Sequence, residues 1–349
     1  MSVQAPCPIS PAKLLALAPT ALRREGGARY RGDSVTASIS ELPERDRATV
    51  RALYDFLLDV YDRSRDDLER PAQGLAALSE LVESELFTEL LERVRRLGAT
   101  LRAADAPLSI RRSLHDVRGG SLMALLMHLD MIREDEALPN DLQRVFILTR
   151  DHLKMMRNAL HDLDRARYQA DLRDRTHSVE LLREKWTDVR YGPGAEGAPA
   201  TWVRFHCDFE GAVSERCMEF SALDRVIYNL VNNAARHSVD GRVDVVVRAV
   251  DDFVDTDLRF AVINRVSEAQ RVALRERFGD QLSELFRGGF TTGGHGIGLR
   301  ICGDFVTHGY ARASLDEALA QRLLGVELID DCFVAWFHWP GRRATSGAA

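Results

Sequence analysis

Cysteine is scarce in this 349-residue sequence, and its five cysteines (Cys7, Cys207, Cys217, Cys302, Cys332) lie far apart without CxxC spacing. An odd, scattered set excludes a disulfide framework and a cysteine-based zinc site, and it points to a reducing compartment. Long apolar runs are missing too: nothing approaches the roughly 18 consecutive apolar residues of a membrane helix. The opening residues place prolines where a secretory signal has its apolar core, so the chain reads as cytoplasmic and without a membrane span. Nor is there an excess of positive charge. A formal net charge of −6 leaves no electrostatic footprint for nucleic acid. What remains, 45% hydrophobic and 29% charged residues, is ordinary for globular protein, at a length that suits about two or three domains.

The periodicity divides the chain. Residues 1–40, rich in Ala, Pro and Ser, read as a disordered tail. Residues 41–102 carry apolar residues at three- and four-residue spacing and read as a helical regulatory segment. Residues 103–173 read as a helical hairpin. Its second arm holds a heptad seam through Leu142, Phe146, Thr149, Leu153, Met156, Leu160 and Leu163. The first arm carries Ile110, Leu114 and Val117, then Leu122, Leu125, Leu129 and Ile132. Two such helices cannot bury their seams alone, so a partner hairpin in a dimeric four-helix bundle is expected. From about residue 178 the period changes. "TWVRFHC", "RVDVVVRAV", "LRFAVI" and "FVAWFHWP" read as strands, with helices near residues 223–235 and 298–307, giving an α/β domain over 178–340 and a polar tail at 341–349.

Three stretches can carry chemistry. "LHDVRGGSLMALL" sets a His-Asp pair, His115 and Asp116, just before Gly119 and Gly120 in a helical context where each glycine costs about 1 kcal/mol. In "LDRVIYNLVNNAARHS", Leu223, Ile227, Leu230 and Ala234 form a buried face. Asn229, Asn233 and Arg236, with His237 adjoining, line another. Asparagine is a poor helix former, and a row of amide oxygens ending in a cation suits hydrated magnesium and its phosphates. A solvated polar face explains the row equally well on this helix alone. "FRGGFTTGGHGIGLRI" shifts that balance. Gly294, Gly296 and Gly298 alternate before a helix, letting backbone N–H groups approach an anion. It is neither a Walker loop nor a dinucleotide fingerprint.

In this order the stretches resemble the motifs of sensor histidine kinases. "LHDVRGGSLMAL" resembles the phosphoacceptor box, close to its HDxxxQ form. "NLVNNAARHS" resembles the N-box of the ATPase domain shared with gyrase, Hsp90 and MutL. "FRGGFTT" resembles the F-box of the ATP lid, and "GGHGIGL" the second glycine box. The resemblance spans roughly residues 105–340 and implies a Bergerat-type α/β sandwich beside a dimeric helical hairpin. It implies ATP and Mg2+ as cofactors, His115 as phosphoacceptor and Asp116 as the base that orients it. Asn233 would bind the metal with Asn229 beside it, and Arg236 or His237 would lie near the phosphates. Thr291 and Thr292 would belong to the lid, and Gly294, Gly296 and Gly298 to the phosphate cradle. The implied partner is a response-regulator receiver domain.

The sequence departs from the family pattern in three respects, one being that no sensor domain is recognisable. Asn264 stands where an adenine-reading Asp usually opens the first glycine box, and "NRVSEAQ" lacks the glycines expected after it. Gly120 replaces the phosphatase glutamine, and Gly119 stands where other subgroups have Asn or Thr, so phosphatase activity is expected to be weak. The two glycines would let the helix bend beside His115. His161, also followed by Asp, and His128 and His152 are rival histidines. Two alternatives stay open: a histidine phosphotransfer or scaffold protein with a degenerate ATP domain, and a serine kinase on the same fold.

Overall fold

The computed structural model describes residues 7–10, 13–14, 36–99, 107–119, 121–191, 201–289 and 297–344. The chain forms two compact units, Asp33–Arg173 and the discontinuous pair Met1–Gly32 with Asp174–Ala349.

The first unit is helical: α1 (Glu44–Asp66), α2 (Pro71–Val82), α3 (Glu85–Arg95), α4 (Leu108–Arg118), α5 (Ser121–Arg133), α6 (Pro139–Ala159) and α7 (Arg165–Asp171). Acidic residues in the first turn of α1 and arginines in its last complement the helix dipole. Its stripe Val50, Leu53, Leu57, Val60 is buried. On α6 the seam residues Leu142, Thr149, Leu153 and Met156 are buried and Phe146 is half-buried. Tyr61 of α1 stacks on Phe146 with centroids 5.3 Å apart. Gly74 of α2 lies so close to α6 that a Cβ there would come within 2.6 Å of Leu142. The chain's own α1 and α2 thus pack on α6 at Phe146 and Leu142.

The first hairpin arm is interrupted rather than bent. α4 stops at Gly119, whose N–H donates to the His115 carbonyl at 2.8 Å. A Cβ at Gly119 would meet that carbonyl oxygen at 3.0 Å, so the termination suits glycine. Gly120 lies outside the described residues, and α5 begins at Ser121.

The second unit is an α/β sandwich. Its strands are β1 (Asp174–Ser178), β2 (Val189–Tyr191), β3 (Thr201–Cys207), β4 (Gly211–Arg216), β5 (Arg242–Ala249), β6 (Asp255–Arg265), β7 (Leu324–Ile329) and β8 (Cys332–Arg343). Among the described residues they form one sheet ordered β1-β4-β8-β6-β5-β3-β2, with β7 added on β8. The β3–β5 pair is parallel and the other pairs are antiparallel. The helices are α8 (Glu180–Trp186), α9 (Cys217–His237), α10 (Glu268–Phe278), α11 (Gly298–Gly309) and α12 (Leu315–Ala320).

The central strand β6 is buried from Thr256 to Asn264, on both faces, which suits its apolar run Phe260–Ile263. On one face, Ala261 and Ile263 join Val246, Cys332, Val334 and Trp336 beneath Ile9 and Leu14. Arg259 on that face donates to the Leu14 carbonyl at 2.7 Å. Within residues 1–40, expected to be disordered, Ile9 and Leu14 are therefore part of a packed core. At the other end, β8 continues through Gly341–Arg343, into the stretch expected to be a tail.

Candidate active site

α9 carries the asparagine row because one helix face is used by the core and the next by its neighbour. Leu223, Ile227, Leu230 and Ala234 are buried. Arg225, Asn229 and Asn233 follow at four-residue intervals and so lie on one stripe. That stripe faces α11: the Arg225 guanidinium sits 4.3 Å from the Phe305 ring centroid, and the Cys302 thiol reaches the Val226 carbonyl at 3.7 Å. Along the stripe burial decreases. Arg225 and Asn229 are buried, Asn233 is half-buried and Arg236 is exposed. The row therefore opens toward solvent at its C-terminal end, where a polyanion could enter.

Two further groups lie in the same helix layer. On β6, Asn264 has the parity of Leu258, Phe260 and Val262, opposite to that of Ala261 and Ile263 under the N-terminal segment. Its side-chain N–H donates to the Arg265 carbonyl at 3.3 Å, whereas its buried Oδ1 finds no hydrogen-bond partner among the described residues. Such an orphan acceptor costs folding about 1–3 kcal/mol. It can accept an N–H from a bound ligand. α11 begins at Gly298 after Ile297, and among the described residues no side chain caps its first N–H groups.

His237, expected near the phosphates, closes α9 beside the exposed Arg236. Its Nδ1 accepts from Gln270 Nε2 at 3.2 Å, on the first turn of α10. Burial, helped by Arg236, pushes its pKa down, so it is neutral and acts as an acceptor at Nδ1. Gln270 and Arg225 were not singled out from the sequence. Arg225 had a signal in the four-residue stripe, and Gln270 had none. Thr291, Thr292, Gly294 and Gly296 lie outside the described residues.

In the helical unit, His115 sits one turn before the end of α4. Its Nδ1 is buried and lies 3.6 Å from Asp116 Oδ1, with 20% of the imidazole exposed. That separation is longer than a hydrogen bond, and apo catalytic contacts commonly tighten only with substrate bound. His128 and His152 are fully buried, which removes both as accessible phosphoacceptors. His161 follows α6 and its ring faces Tyr168 of α7, with centroids 6.4 Å apart.

Residues 219–325 match the family model of histidine kinase-, DNA gyrase B-, and HSP90-like ATPases. No curated protein sequence matches the chain. Among solved structures, the chain is similar to the catalytic domain of the histidine kinase ThkA in a nucleotide-free form. The identity is 21%, over 39% of this chain and 77% of that one, with a TM-score of 0.25. Full-length ShkA in complex with AMPPNP matches at 16% identity, over 73% of this chain and 47% of that one, with a TM-score of 0.28. Site assignments accordingly rest on this chain's own residues. Spanning α9, β5, β6, the Gly298 helix and the start of β7, the matched region makes this a two-unit protein with an ATPase domain of the histidine kinase, DNA gyrase B and HSP90 family.

Proposed function

We propose that the chain is a cytoplasmic, ATP-dependent protein histidine kinase that phosphorylates His115 and passes the phosphoryl group to an aspartate of a response-regulator receiver domain. The observation that carries this reading is the His115–Asp116 geometry. One imidazole nitrogen is buried against a carboxylate, and the ring stays partly open to solvent. If the 3.6 Å separation closes when ATP is bound, Asp116 would hold a proton on Nδ1 and leave the Nε2 lone pair free for attack. As Nε2 bonds to the γ-phosphorus, the bond to the β–γ bridging oxygen would break and ADP would leave, with the Nδ1 proton drawn toward Asp116. Phosphoryl transfer needs alignment and charge neutralisation more than covalent help from the protein.

On the ATPase domain, Asn264 would accept from the adenine amine, and the first N–H groups of α11 at Gly298 would hold phosphate. Asn233, with Asn229 beside it, would hold Mg2+, which supplies charge neutralisation on the phosphates when bound. Hard cations accept amide oxygens, so the donor set suits it. The Asn264 orphan oxygen supports nucleotide binding over a degenerate, scaffold-only domain.

Incubation of the full chain with γ-labelled ATP and Mg2+ tests the proposal. Acid-labile label on His115, lost in His115→Gln and in Asn233→Ala and chased onto a receiver domain, is expected. Acid-stable label would mean a serine kinase. Nucleotide-free, unlabelled, folded protein would mean a scaffold.

A further inference from the structure

Where the family pattern has glycines after Asn264, this chain starts a helix. In "NRVSEAQ", Ser267 caps α10 and Gln270 closes the capping box. The Gln270 N–H donates to Ser267 Oγ at 3.2 Å, and the Ser267 N–H donates to Gln270 Oε1 at 2.9 Å. The Ser267 hydroxyl meets the same Oε1 at 3.1 Å. A backbone N–H can only donate, so the amide atom facing it is the oxygen, and the orientation of Gln270 is set. Its NH2 group, which also can only donate, is then the one 3.2 Å from His237 Nδ1. His237 therefore accepts at Nδ1, and the proton of the neutral ring belongs on Nε2. Burial, then the Arg236 charge, keeps that ring neutral.

His237 also ends the polar stripe of α9. It follows Asn233 by four residues, as Asn233 follows Asn229, so it stands one turn beyond the pair, at the end where burial falls away. We propose that Gln270 is the positioning residue for His237, holding the ring as the tautomer that offers Nε2–H, an uncharged donor, to the nucleotide phosphates. The helix that stands in place of the glycine loop thereby takes a share of phosphate binding through His237. Glutamate would complete the same cap but has no N–H to give, so the cap alone does not account for the amide. The inference rests on nucleotide binding by this domain, and its test separates the two.

The test uses the full chain as wild type, Gln270→Glu, His237→Phe and the double variant. It reads the tautomer and titration of His237 by imidazole nitrogen NMR, and the binding of ADP with Mg2+ by calorimetry. Wild type should carry the ring proton on Nε2 and none on Nδ1. Gln270→Glu keeps the capping pair, so α10 should stay intact, but the carboxylate turns His237 Nδ1 into a donor. The proton of the neutral ring should move to Nδ1, and the titration midpoint should rise by about one pH unit or more. At about pH 8.5, with the ring neutral, ADP binding should weaken roughly 3- to 10-fold in Gln270→Glu and in His237→Phe. Adding Gln270→Glu to His237→Phe should change it by less than about twofold. A wild-type proton on Nδ1, or a wild-type titration in Gln270→Glu, overturns the proposal. A double variant that loses as much again overturns the donor role, because the carboxylate then acts on the nucleotide without His237. If wild type binds no ADP, the nucleotide reading fails and the donor role with it, and the tautomer alone decides whether Gln270 positions His237.

Discussion

If Asn264 reads adenine as proposed, folding stability and nucleotide binding pull in opposite directions there. Its buried Oδ1 has no hydrogen-bond partner among the described residues, so the folded domain bears a desolvation cost that a ligand amine could relieve. Asn264→Leu removes that cost along with the acceptor. It should leave the melting temperature equal to or above wild type while weakening ATP binding by roughly 3- to 10-fold, the worth of one hydrogen bond. Calorimetric titration and thermal melting on the same samples check both halves. His338 ties a residue to pH. Arg259 Nε donates to its Nε2 at 3.2 Å, and its Nδ1 faces the Leu323 carbonyl at 3.1 Å. Burial, then the Arg259 charge, pushes its pKa down to about 3. The unfolded chain takes up this proton near pH 6.5 while the folded state does not, so the stabilisation is complete above pH 6.5 and is lost on acidification toward pH 3. Between pH 7 and pH 5 this one histidine should cost about 2 kcal/mol of stability. Urea unfolding of His338→Gln at both pH values should show a correspondingly flatter dependence. Asn264 was visible in the sequence as the end of an apolar strand. Its orphan oxygen was not, because which atoms lack partners is decided only when β5 and β8 pair on either side of it.

At the scale of elements, periodicity says that a face is buried but not against what. The α6 seam could be read from its heptads, and so could the stripe on α1. Nothing in either pattern said that they meet within one chain. The pairing is held by polar contacts with no period: Tyr54 donates to Asp164 at 3.0 Å, Arg157 donates to Tyr54 at 3.2 Å, and Arg157 pairs with Asp171 at 2.7 Å. The last pair is buried, and α7 is thereby locked onto α1 and α6. Asp171→Asn should cost about 3–5 kcal/mol, because the Arg157 charge stays buried without its counter-ion. Chemical denaturation of the full chain checks it, and a loss under about 1 kcal/mol would mean that water replaces the carboxylate. Strands β1 and β4 were missed for a related reason: "DRTHS" and "GAVSER" have little apolar alternation. β1 instead packs through one residue, with His177 stacked on Phe220 at 4.6 Å and bonded to Ser214. The glycine pair was legible as an anomaly. Whether it bends a helix or ends one was settled by the contact of Gly119 with the His115 carbonyl.

For the whole molecule, the ATPase-bearing unit is built from two separate parts of the chain, and the helical unit is inserted between them. Sequence patterns could not show this, since Ile9 and Leu14 sit among prolines and alanines with no periodic neighbours. Their burial comes from long-range docking onto the sheet face, pinned by the Arg259 bond to the Leu14 carbonyl and by the Lys13–Asp330 ion pair at 2.8 Å. The ion pair is exposed and contributes little, so the apolar contacts carry the docking. Cys332 lies under this segment and reports on it. Burial and the neighbouring Asp331 push its thiol up to about 12, so in the docked state it is both shielded and protonated. Placing a carboxylate at both anchors, Ile9→Asp with Leu14→Asp, should release the segment because neither charge has a partner in the apolar cluster. Alkylation of Cys332, followed by mass spectrometry of its own peptide so that Cys7 does not interfere, should then accelerate by at least about tenfold, as a protected thiol becomes an ordinary one. The helical unit should melt unchanged, since the segment's anchors belong to the other unit. Equal alkylation rates in variant and wild type would show that the sheet face is shielded without Ile9 and Leu14, and that the unit is complete from Asp174 onward.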